Sequence, residues 1–309
     1  MTRVAAIDCG TNSIRLLIAD LTDSGLRDVT RRMEIVRLGQ GVDRTGRFAD
    51  DALARTFAAL DGYAEAIKDA DVERVRMVAT SATRDAANRD VFVGGVRDRL
   101  GVEPDVVSGD EEAQLSFAGA TADLAGAQWP APFLVCDIGG GSTEFVLGDL
   151  DHVRAARSVD IGCVRMTERH LHDDPPTPEQ VEAARADIEQ ALATVATTVP
   201  VGEAASLIGL AGSVTTVTAL ALGLEAYDPE RIHRARVSAL EVRAVAGSLL
   251  AMTRAERAAL PVMHPGRVDV IGAGALVLDT VLHWGGFAEV VASEHDILDG
   301  IALSLLDRN

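Results

Sequence analysis

An internal repeat is the feature of this sequence that most constrains its fold. An apolar run ends at Asp8, small and hydroxyl-bearing residues follow, and a second apolar run begins. The same order of residue types surrounds Asp137, and the two copies stay 129 positions apart throughout the match. A match of this length at one offset is improbable by chance. We therefore predict two related domains that each present the same turn between two strands, with a cleft where the turns face each other.

Length and hydrophobic patterning agree with two domains of the α/β class. The chain has 309 residues, about twice the ~150 residues of a typical domain. Runs rich in Val, Ile and Leu predict strands, and helical patterns separate these runs, so we expect mixed sheets flanked by helices. The predicted strands are Val4–Asp8, Ile14–Asp20, Thr30–Leu38, Val75–Thr80, Phe133–Asp137, Glu144–Leu150, Ser206–Ala211 and Glu289–Ser293.

Local signals mark several helices and one domain junction. The apolar stripe of Asp51–Asp69 predicts an amphipathic helix, and Thr177, Ser238 and Thr253 each begin a capping-box pattern. A Gly- and Pro-rich segment at 123–132 separates a helical pattern from a new strand. We place the domains at residues 1–125 and 126–309, and expect a last helix, at about 296–308, to pack back on the first domain.

Both turns have the composition of phosphate-binding loops. Gly10 and the glycines at 139–141 let successive backbone N–H groups converge on an anionic oxygen. The turns lie between strands and lack the lysine of GxxxxGK[ST], which separates them from a Walker loop. For one copy alone, a tight turn capped by its aspartate explains the pattern as well; two copies favour phosphate. Further donors are the hydroxyl groups of Thr11, Ser13, Ser142 and Thr143.

Acidic residues precede both turns. Asp8 and Asp137 end the first strand of each copy, and carboxylates of this kind suit Mg²⁺, which binds through a few carboxylates plus substrate phosphate. One pair of equivalent positions differs: Arg15 in the first copy corresponds to Glu144 in the second. The two turns are therefore predicted to share a frame and differ in chemistry.

Other segments are weaker candidates. Thr80–Asn88 opens a helix where N–H groups and Arg84 can meet phosphate, although a helix cap with a solvated arginine explains it equally well. The acids of Ser108–Ala113 ordinarily just complement a helix dipole. Gly209–Thr216 either receives a nucleoside or lets two backbones pack closely. The pair His295–Asp296 lacks the further His and Asp that an HD metal site needs.

Composition excludes several classes of function. The net charge of −18 argues against nucleic acid, which needs a basic face. No apolar run reaches the ~20 residues of a membrane span, and no signal peptide precedes the first strand. Three cysteines without CxxC spacing make a zinc site or disulfide framework improbable and fit the cytoplasm.

The paired turns, the segment TSATRDAAN at 80–88 and the segment SGDEEA at 108–113 together resemble the exopolyphosphatase / guanosine pentaphosphate phosphohydrolase family. That family belongs to the actin-like ATPase superfamily, whose domains are of the ribonuclease H-like type. The most specific match is DIGGGSTEFV at 137–146. The resemblance covers nearly the whole chain, from Val4 to Leu298-Asp299-Gly300.

The resemblance implies roles for individual residues. Glu112 is the catalytic base, Arg84 contacts substrate phosphates, and Asp137 and Glu144 form the acidic pair associated with the metal ion and catalysis, with Asp8 facing them. We expect Mg²⁺, with Mn²⁺ as a substitute, and a homodimer. The phosphate loops are Gly10, Thr11, Asn12, Ser13, Gly139, Gly140, Gly141, Ser142 and Thr143.

The predicted activity is Mg²⁺-dependent release of terminal orthophosphate from inorganic polyphosphate. Glu112 accepts a proton from the attacking water, and with an ordinary pKa of ~4.3 it is expected to be ionised at neutral pH. Short chains are favoured, because the charge is unfavourable for a long polyanion and the helical C-terminal region of long family members is missing. Alternatives are guanosine pentaphosphate as substrate, a superfamily kinase acting on ATP, and a non-catalytic sensor of guanosine polyphosphate or polyphosphate.

The C-terminal segment departs from the family pattern. Family members commonly carry Arg-Glu-Gly where this chain has Leu298, Asp299 and Gly300, and Ser213 stands where a threonine is common. Both differences affect the expected contacts to the distal part of the substrate.

Overall fold

The chain forms two compact units. A computed structural model describes residues 2–22, 25–122, 129–150 and 152–307. Unit 1 consists of Met1–Gly119 together with Asp296–Asn309, and unit 2 of Ala120–His295. The predicted junction between residues 125 and 126 lies outside the described residues.

Each unit begins its sheet with three consecutive strands, and the later strands are separated by helices. The strands are β1 (Thr2–Cys9), β2 (Ser13–Thr22), β3 (Gly25–Ile35), β4 (Arg74–Ala79), β5 (Asp105–Val106), β6 (Phe133–Ile138), β7 (Thr143–Gly148), β8 (Val153–Val159), β9 (Ser206–Leu210), β10 (Arg236–Ser238) and β11 (Glu289–Ala292). The helices are α1 (Val42–Thr45), α2 (Asp50–Asp69), α3 (Ser81–Asp85), α4 (Arg89–Leu100), α5 (Gly109–Thr121), α6 (Cys163–His170), α7 (Pro178–Ala196), α8 (Ala211–Ala221), α9 (Pro229–Ile232), α10 (Ala239–Ala251), α11 (Arg254–Ala258), α12 (Ile271–Gly285) and α13 (Ile297–Asp307).

Unit 1 is built on a mixed five-stranded sheet in the order β3-β2-β1-β4-β5. β1 runs antiparallel to β2 and parallel to β4. One apolar cluster joins Ile7 of the sheet to Leu60 of α2, and a second joins Leu17 to Ile301 of α13. Neighbouring side chains of a strand point to opposite faces, so helices cover this sheet on both sides.

Unit 2 repeats that plan. Its six-stranded sheet has the order β10-β11-β9-β6-β7-β8. Counted from β8, the order β8-β7-β6-β9-β11 matches β3-β2-β1-β4-β5, with the same antiparallel first hairpin and the same parallel pairing to the fourth strand. β10 is an addition at the edge. The predicted class, two related domains with mixed sheets flanked by helices, is confirmed.

The local signals are confirmed, with displaced strand boundaries. β3 begins at Gly25, before the predicted Thr30, and β7 ends at Gly148, before the predicted Leu150. Each predicted strand overlaps an observed one, and all three capping boxes are present, at Thr177, Ser238 and Thr253. β3 ends at Ile35, before the predicted end at Leu38. The chain leaves the sheet there because the N–H groups of residues 36 and 37 donate to the carbonyl of Asn12, at 3.1 and 2.8 Å.

Among the residues that the structure describes, no helix combines the length and the apolar character needed to cross a membrane.

Candidate active site

The first predicted phosphate turn is the tip of the β1–β2 hairpin. The N–H of Gly10 donates to the carbonyl of Ser13 at 3.0 Å and closes the turn. The hydroxyl of Thr11 lies 2.9 Å from the hydroxyl of Ser81, the first residue of α3. The turn is thereby tied to the predicted TSATRDAAN segment within unit 1.

The second turn, at the tip of the β6–β7 hairpin, has the same closure and an additional support. Gly139 N–H donates to the carbonyl of Ser142 at 3.1 Å, the equivalent bond in the second copy. The carbonyl groups of Gly139, Gly140 and Gly141 accept hydrogen bonds of 2.8–3.2 Å from the backbone N–H groups of residues 162–165. The start of α6 therefore holds the carbonyl side of the turn.

This support fixes the direction of the turn's amides. In a planar trans peptide, the carbonyl of one residue and the N–H of the next point in opposite directions. Because the carbonyls of residues 139–141 point toward α6, the N–H groups of Gly140, Gly141 and Ser142 point away from it. Successive N–H groups left on one side of a turn can bind an anionic oxygen. A Cβ on Gly162 would lie 2.3 Å from the carbonyl carbon of Gly140, so a glycine at 162 permits the contact.

The acidic residues occupy equivalent cross-strand positions in the two units. Asp8 lies opposite Arg15 across β1 and β2, and Asp137 lies opposite Glu144 across β6 and β7. Directly opposite residues of an antiparallel pair are neighbours on one face. Asp8, Asp137 and Glu144 are all buried. The hydroxyl of Ser158 on β8 donates to Glu144 Oε1 at 2.7 Å.

The donor set of unit 2 fits Mg²⁺. Asp137 and Glu144 supply two hard carboxylates beside a glycine turn, and Mg²⁺ is ordinarily held by one or two carboxylates plus waters and substrate phosphate. Across the described parts of the chain, no three His, Cys, Asp or Glu side chains gather into a complete metal cage. Substrate oxygens and water would thus complete the coordination of an ion held by this pair.

Asp8, the third predicted metal ligand, has a different environment. Its Oδ2 accepts hydrogen bonds from Arg15 Nε at 3.0 Å and Arg15 Nη2 at 2.6 Å. Arg15 Nη1 donates to the buried carboxylate of Asp296, at the start of α13. Burial raises the pKa of Asp8 even though Arg15 acts to lower it. For Asp296, burial alone would raise the pKa, but the charge and hydrogen bond of Arg15 bring it below its ordinary value.

Glu112, the predicted base, lies in the first turn of α5 and is 8% exposed. Arg84 Nη1 donates to Glu112 Oε2 at 2.6 Å and to the carbonyl of Val107 at 3.0 Å. Burial raises the pKa of Glu112 to about 7, with Arg84 opposing the shift, the negative charge of Asp8 adding to it, and a hydrogen bond with Thr80 opposing it. The expected value of ~4.3 is therefore wrong, because it ignores the loss of water around the carboxylate.

The neighbouring acid Glu111 contacts Arg76 and not Arg84. Its Oε1 accepts a hydrogen bond from Arg76 Nη2 at 2.9 Å, and its side chain is 46% exposed. Successive residues of a helix differ in direction by about 100°. The two acids of SGDEEA thus have separate partners, and Glu112 is the one beside Arg84.

Unit 1 gathers the first turn, Asp8, Arg84 and Glu112, whereas unit 2 contains the second turn with Asp137 and Glu144. Thr80 and Asp296 belong to the unit 1 cluster although the sequence predicted no site role for either, Asp296 having been considered only as half of an HD pair. Thr80 bonds Glu112 and stands in a segment already noticed. Asp296 bonds a residue 281 positions away, and no local pattern could reveal that contact.

The third turn, Gly209–Thr216, leads into α8. Arg267 Nη1 donates to Thr216 Oγ1 at 3.0 Å, and a Cβ on Gly212 would lie 2.4 Å from the Arg267 guanidinium carbon. The absence of a side chain at Gly212 lets this arginine lie against the helix start, so close packing accounts for the glycine.

Comparisons with known proteins agree with one another. The model of the Ppx/GppA phosphatase family matches residues 17–309. Exopolyphosphatase 2 of Mycobacterium tuberculosis is 54% identical, over 99% of each chain. The crystal structure of an exopolyphosphatase-like protein superposes with a TM-score of 0.96, at 46% identity and over 99% of both chains. That of the Aquifex aeolicus Ppx/GppA family member has a TM-score of 0.81, at 29% identity over 100% of this chain and 99% of that one.

Proposed function

Because this chain belongs to the Ppx/GppA phosphatase family, we propose that it is an exopolyphosphatase, a hydrolase that releases orthophosphate from the end of an inorganic polyphosphate chain. The observation that carries the proposal is the buried Glu112 carboxylate, held by Arg84 in the unit that also presents the Gly10–Ser13 turn. A base of this kind serves transfer of a phosphoryl group to water.

The chemistry follows from charge. Phosphoryl transfer passes through a loose transition state whose charge lies on the phosphate oxygens, so catalysis is chiefly positioning and electrostatic stabilisation. The N–H groups of Gly140, Gly141 and Ser142, which point away from α6, are proposed to contact such oxygens. Mg²⁺, held by Asp137 and Glu144, would neutralise negative charge on the phosphates when bound.

Glu112 orients the attacking water and takes its proton. The carboxylate must be ionised to do so, and a pKa of about 7 makes it a far better proton acceptor than an exposed glutamate while leaving a large ionised fraction near neutral pH. Arg84 favours the ionised form and fixes the direction of the carboxylate. The leaving polyphosphate departs as the new P–O bond to water forms.

The charge of the molecule favours short substrates. A net charge of −18 opposes the approach of a long polyanion, so local contacts at the turns must supply the binding. We propose short polyphosphates as the preferred substrates. Guanosine pentaphosphate contains the same type of phosphoanhydride bond and is the competing substrate. The Mg²⁺ requirement and the homodimer stay predictions.

One parallel assay tests the proposal. Phosphate release is measured, with and without Mg²⁺, from tripolyphosphate, long polyphosphate, guanosine pentaphosphate and ATP at equal concentrations of chain ends. We expect Mg²⁺-dependent release, fastest per end from tripolyphosphate. Faster release from guanosine pentaphosphate would reassign the substrate. Release from none of them, together with thermal stabilisation by the same compounds, would support the sensor alternative instead.

A further inference from the structure

We propose that Asp296 is a positioning residue for the hydrolytic reaction: it holds Arg15 against Asp8 and so fixes the carboxylate next to Glu112. This inference rests on the proposed function. Arg15 stands between two buried carboxylates, with Nε and Nη2 bonded to Asp8 and Nη1 bonded to Asp296. A planar guanidinium that donates along two edges cannot rotate without breaking one ion pair.

The carboxylate of Asp296 is itself firmly placed. Its Oδ1 accepts the N–H of Leu298 at 3.0 Å, and its own N–H donates to Asp299 Oδ2 at 3.0 Å. Asp299 in turn accepts hydrogen bonds from Arg31 on β3, the shorter at 2.6 Å. The start of α13 is therefore tied to β2 through Asp296 and to β3 through Asp299.

α13 also touches the helix that carries Glu112. A Cβ on Gly119 of α5 would lie 1.8 Å from the carbonyl oxygen of Asp296, and one on Gly300 would lie 1.9 Å from the carbonyl oxygen of Leu115. Such distances leave no room for a side chain at either position. The backbones of α5 and α13 are in direct contact, so Asp296 and Glu112 belong to one packed assembly within unit 1.

The charges form a continuous series. Asp296, Arg15, Asp8, Glu112 and Arg84 follow one another as negative, positive, negative, negative and positive groups. The backbone joins the last three: Thr80 N–H donates to the carbonyl of Cys9, the residue after Asp8, at 3.2 Å, and the Thr80 carbonyl accepts the N–H of Arg84 at 3.1 Å. Arg84 in turn bonds Glu112, and the charge of Asp8 acts on Glu112. Removing Asp296 frees one edge of Arg15, whose side chain is 20% exposed and can then turn toward solvent. Asp8 loses its fixed partner, and the position of its charge beside the base becomes variable.

The variant Asp296→Asn tests this directly. It keeps the size of the side chain and an oxygen for the Leu298 N–H, but removes the charge that holds Arg15. We expect kcat on tripolyphosphate to fall about tenfold with KM within about twofold, since misplacing a catalytic group costs rate more than ground-state affinity. Arg15→Lys replaces the guanidinium by a single ammonium group, and it should likewise lower kcat with little change in KM. If D296N does not fold, the Arg15→Lys variant still tests the role of the Arg15 ion pairs.

Asp20→Asn is the matched control. Asp20 is an equally buried carboxylate at the other end of the same hairpin, where it accepts hydrogen bonds from Arg3 at 2.8 Å and Arg27 at 2.7 Å. Both variants should lower the melting temperature, but D20N should keep wild-type kcat. An equal fall of kcat in D20N and D296N would make the effect one of general stability and overturn the assignment.

A double-mutant cycle decides whether Asp296 acts through Arg15. In the Arg15→Lys background, Asp296→Asn should change kcat by less than about twofold, because coupled residues are not additive. A full tenfold loss in both backgrounds, or wild-type kcat in D296N, would overturn the inference. The wild-type protein is measured alongside, so that failure of the Asp296 inference can be told from failure of the proposed function. Phosphate release by the wild type supports the exopolyphosphatase proposal, whatever the variants do.

Discussion

At the scale of single residues, Glu112 and Glu111 show how burial divides two adjacent acids of one motif. Replacing Glu112 by Gln keeps its shape and removes proton acceptance, so kcat should fall by at least about 10²-fold with little change in KM. Glu111→Gln is the control, since the half-exposed Glu111 bonds Arg76 and not Arg84. Steady-state phosphate release measures both. An active E112Q with an inactive E111Q would transfer the role of base to Glu111.

The same residue predicts a dependence on pH. With a pKa of about 7 in the ligand-free protein, Glu112 gains its ionised form as pH rises, so kcat/KM should rise along a limb with its midpoint near pH 7. The contribution to stability has the opposite sign. The folded state holds the proton more tightly than the unfolded state, whose value is about 4.3, so this stabilisation is fully present below pH ~4.3 and is lost as pH rises through about 7.

Melting curves of the wild type and E112Q between pH 5 and 8 measure that linkage. The melting temperature of the wild type should decline relative to that of E112Q as pH rises, and the kinetic limb should be missing in E112Q. A constant difference between the two melting temperatures over this range would contradict a raised pKa.

At the scale of elements, the N–H groups at the start of α6 hold the carbonyl groups of the second phosphate turn. Gly162→Ala would bring a Cβ to 2.3 Å from the backbone of Gly140, which must shift the turn. We expect a loss of about 1–3 kcal/mol in stability, as for other overpacked sites, and a higher KM for tripolyphosphate. Gly202→Ala is the matched control, because nothing lies within 4 Å of its added Cβ. Equal KM values for G162A and the wild type would show that α6 does not set the turn's binding geometry.

Elements were predictable where their signals are local. Capping boxes at Thr177, Ser238 and Thr253 depend on residues three positions apart, and alternation within a run marks a strand. The end of β3 was missed because it is decided by bonds to Asn12. β8 was missed because arginines interrupt its apolar residues and only Val159 of the strand is buried. In the site, the repeated turns were predictable from the sequence pattern and Glu112 only from the family resemblance, whereas the roles of Asp296 and the pKa of Glu112 depend on tertiary burial.

At the scale of the whole molecule, net charge governs how a polymeric substrate is handled. A chain stays bound between turnovers only if many contacts hold its distal part, and a charge of −18 makes long-range attraction unfavourable. We expect distributive cleavage, in which one phosphate is removed and the chain is then released. Gel-resolved time courses on long polyphosphate should show the whole population shortening gradually. Full-length chains persisting beside free phosphate, without intermediates, would contradict this expectation.

The repeated hairpins differ in charge at the cross-strand pair that begins with the aspartate before each turn. The pair Asp8–Arg15 sums to zero charge, whereas the pair Asp137–Glu144 sums to minus two when both are ionised. Like charges placed opposite each other oppose folding, and the Mg²⁺ ion proposed at Asp137 and Glu144 would offset their repulsion. Mg²⁺ should therefore raise the melting temperature of the wild type, in proportion to its binding. In Glu144→Gln the protein should melt higher in chelator and gain less from Mg²⁺; an unchanged gain would mean that the cation binds elsewhere.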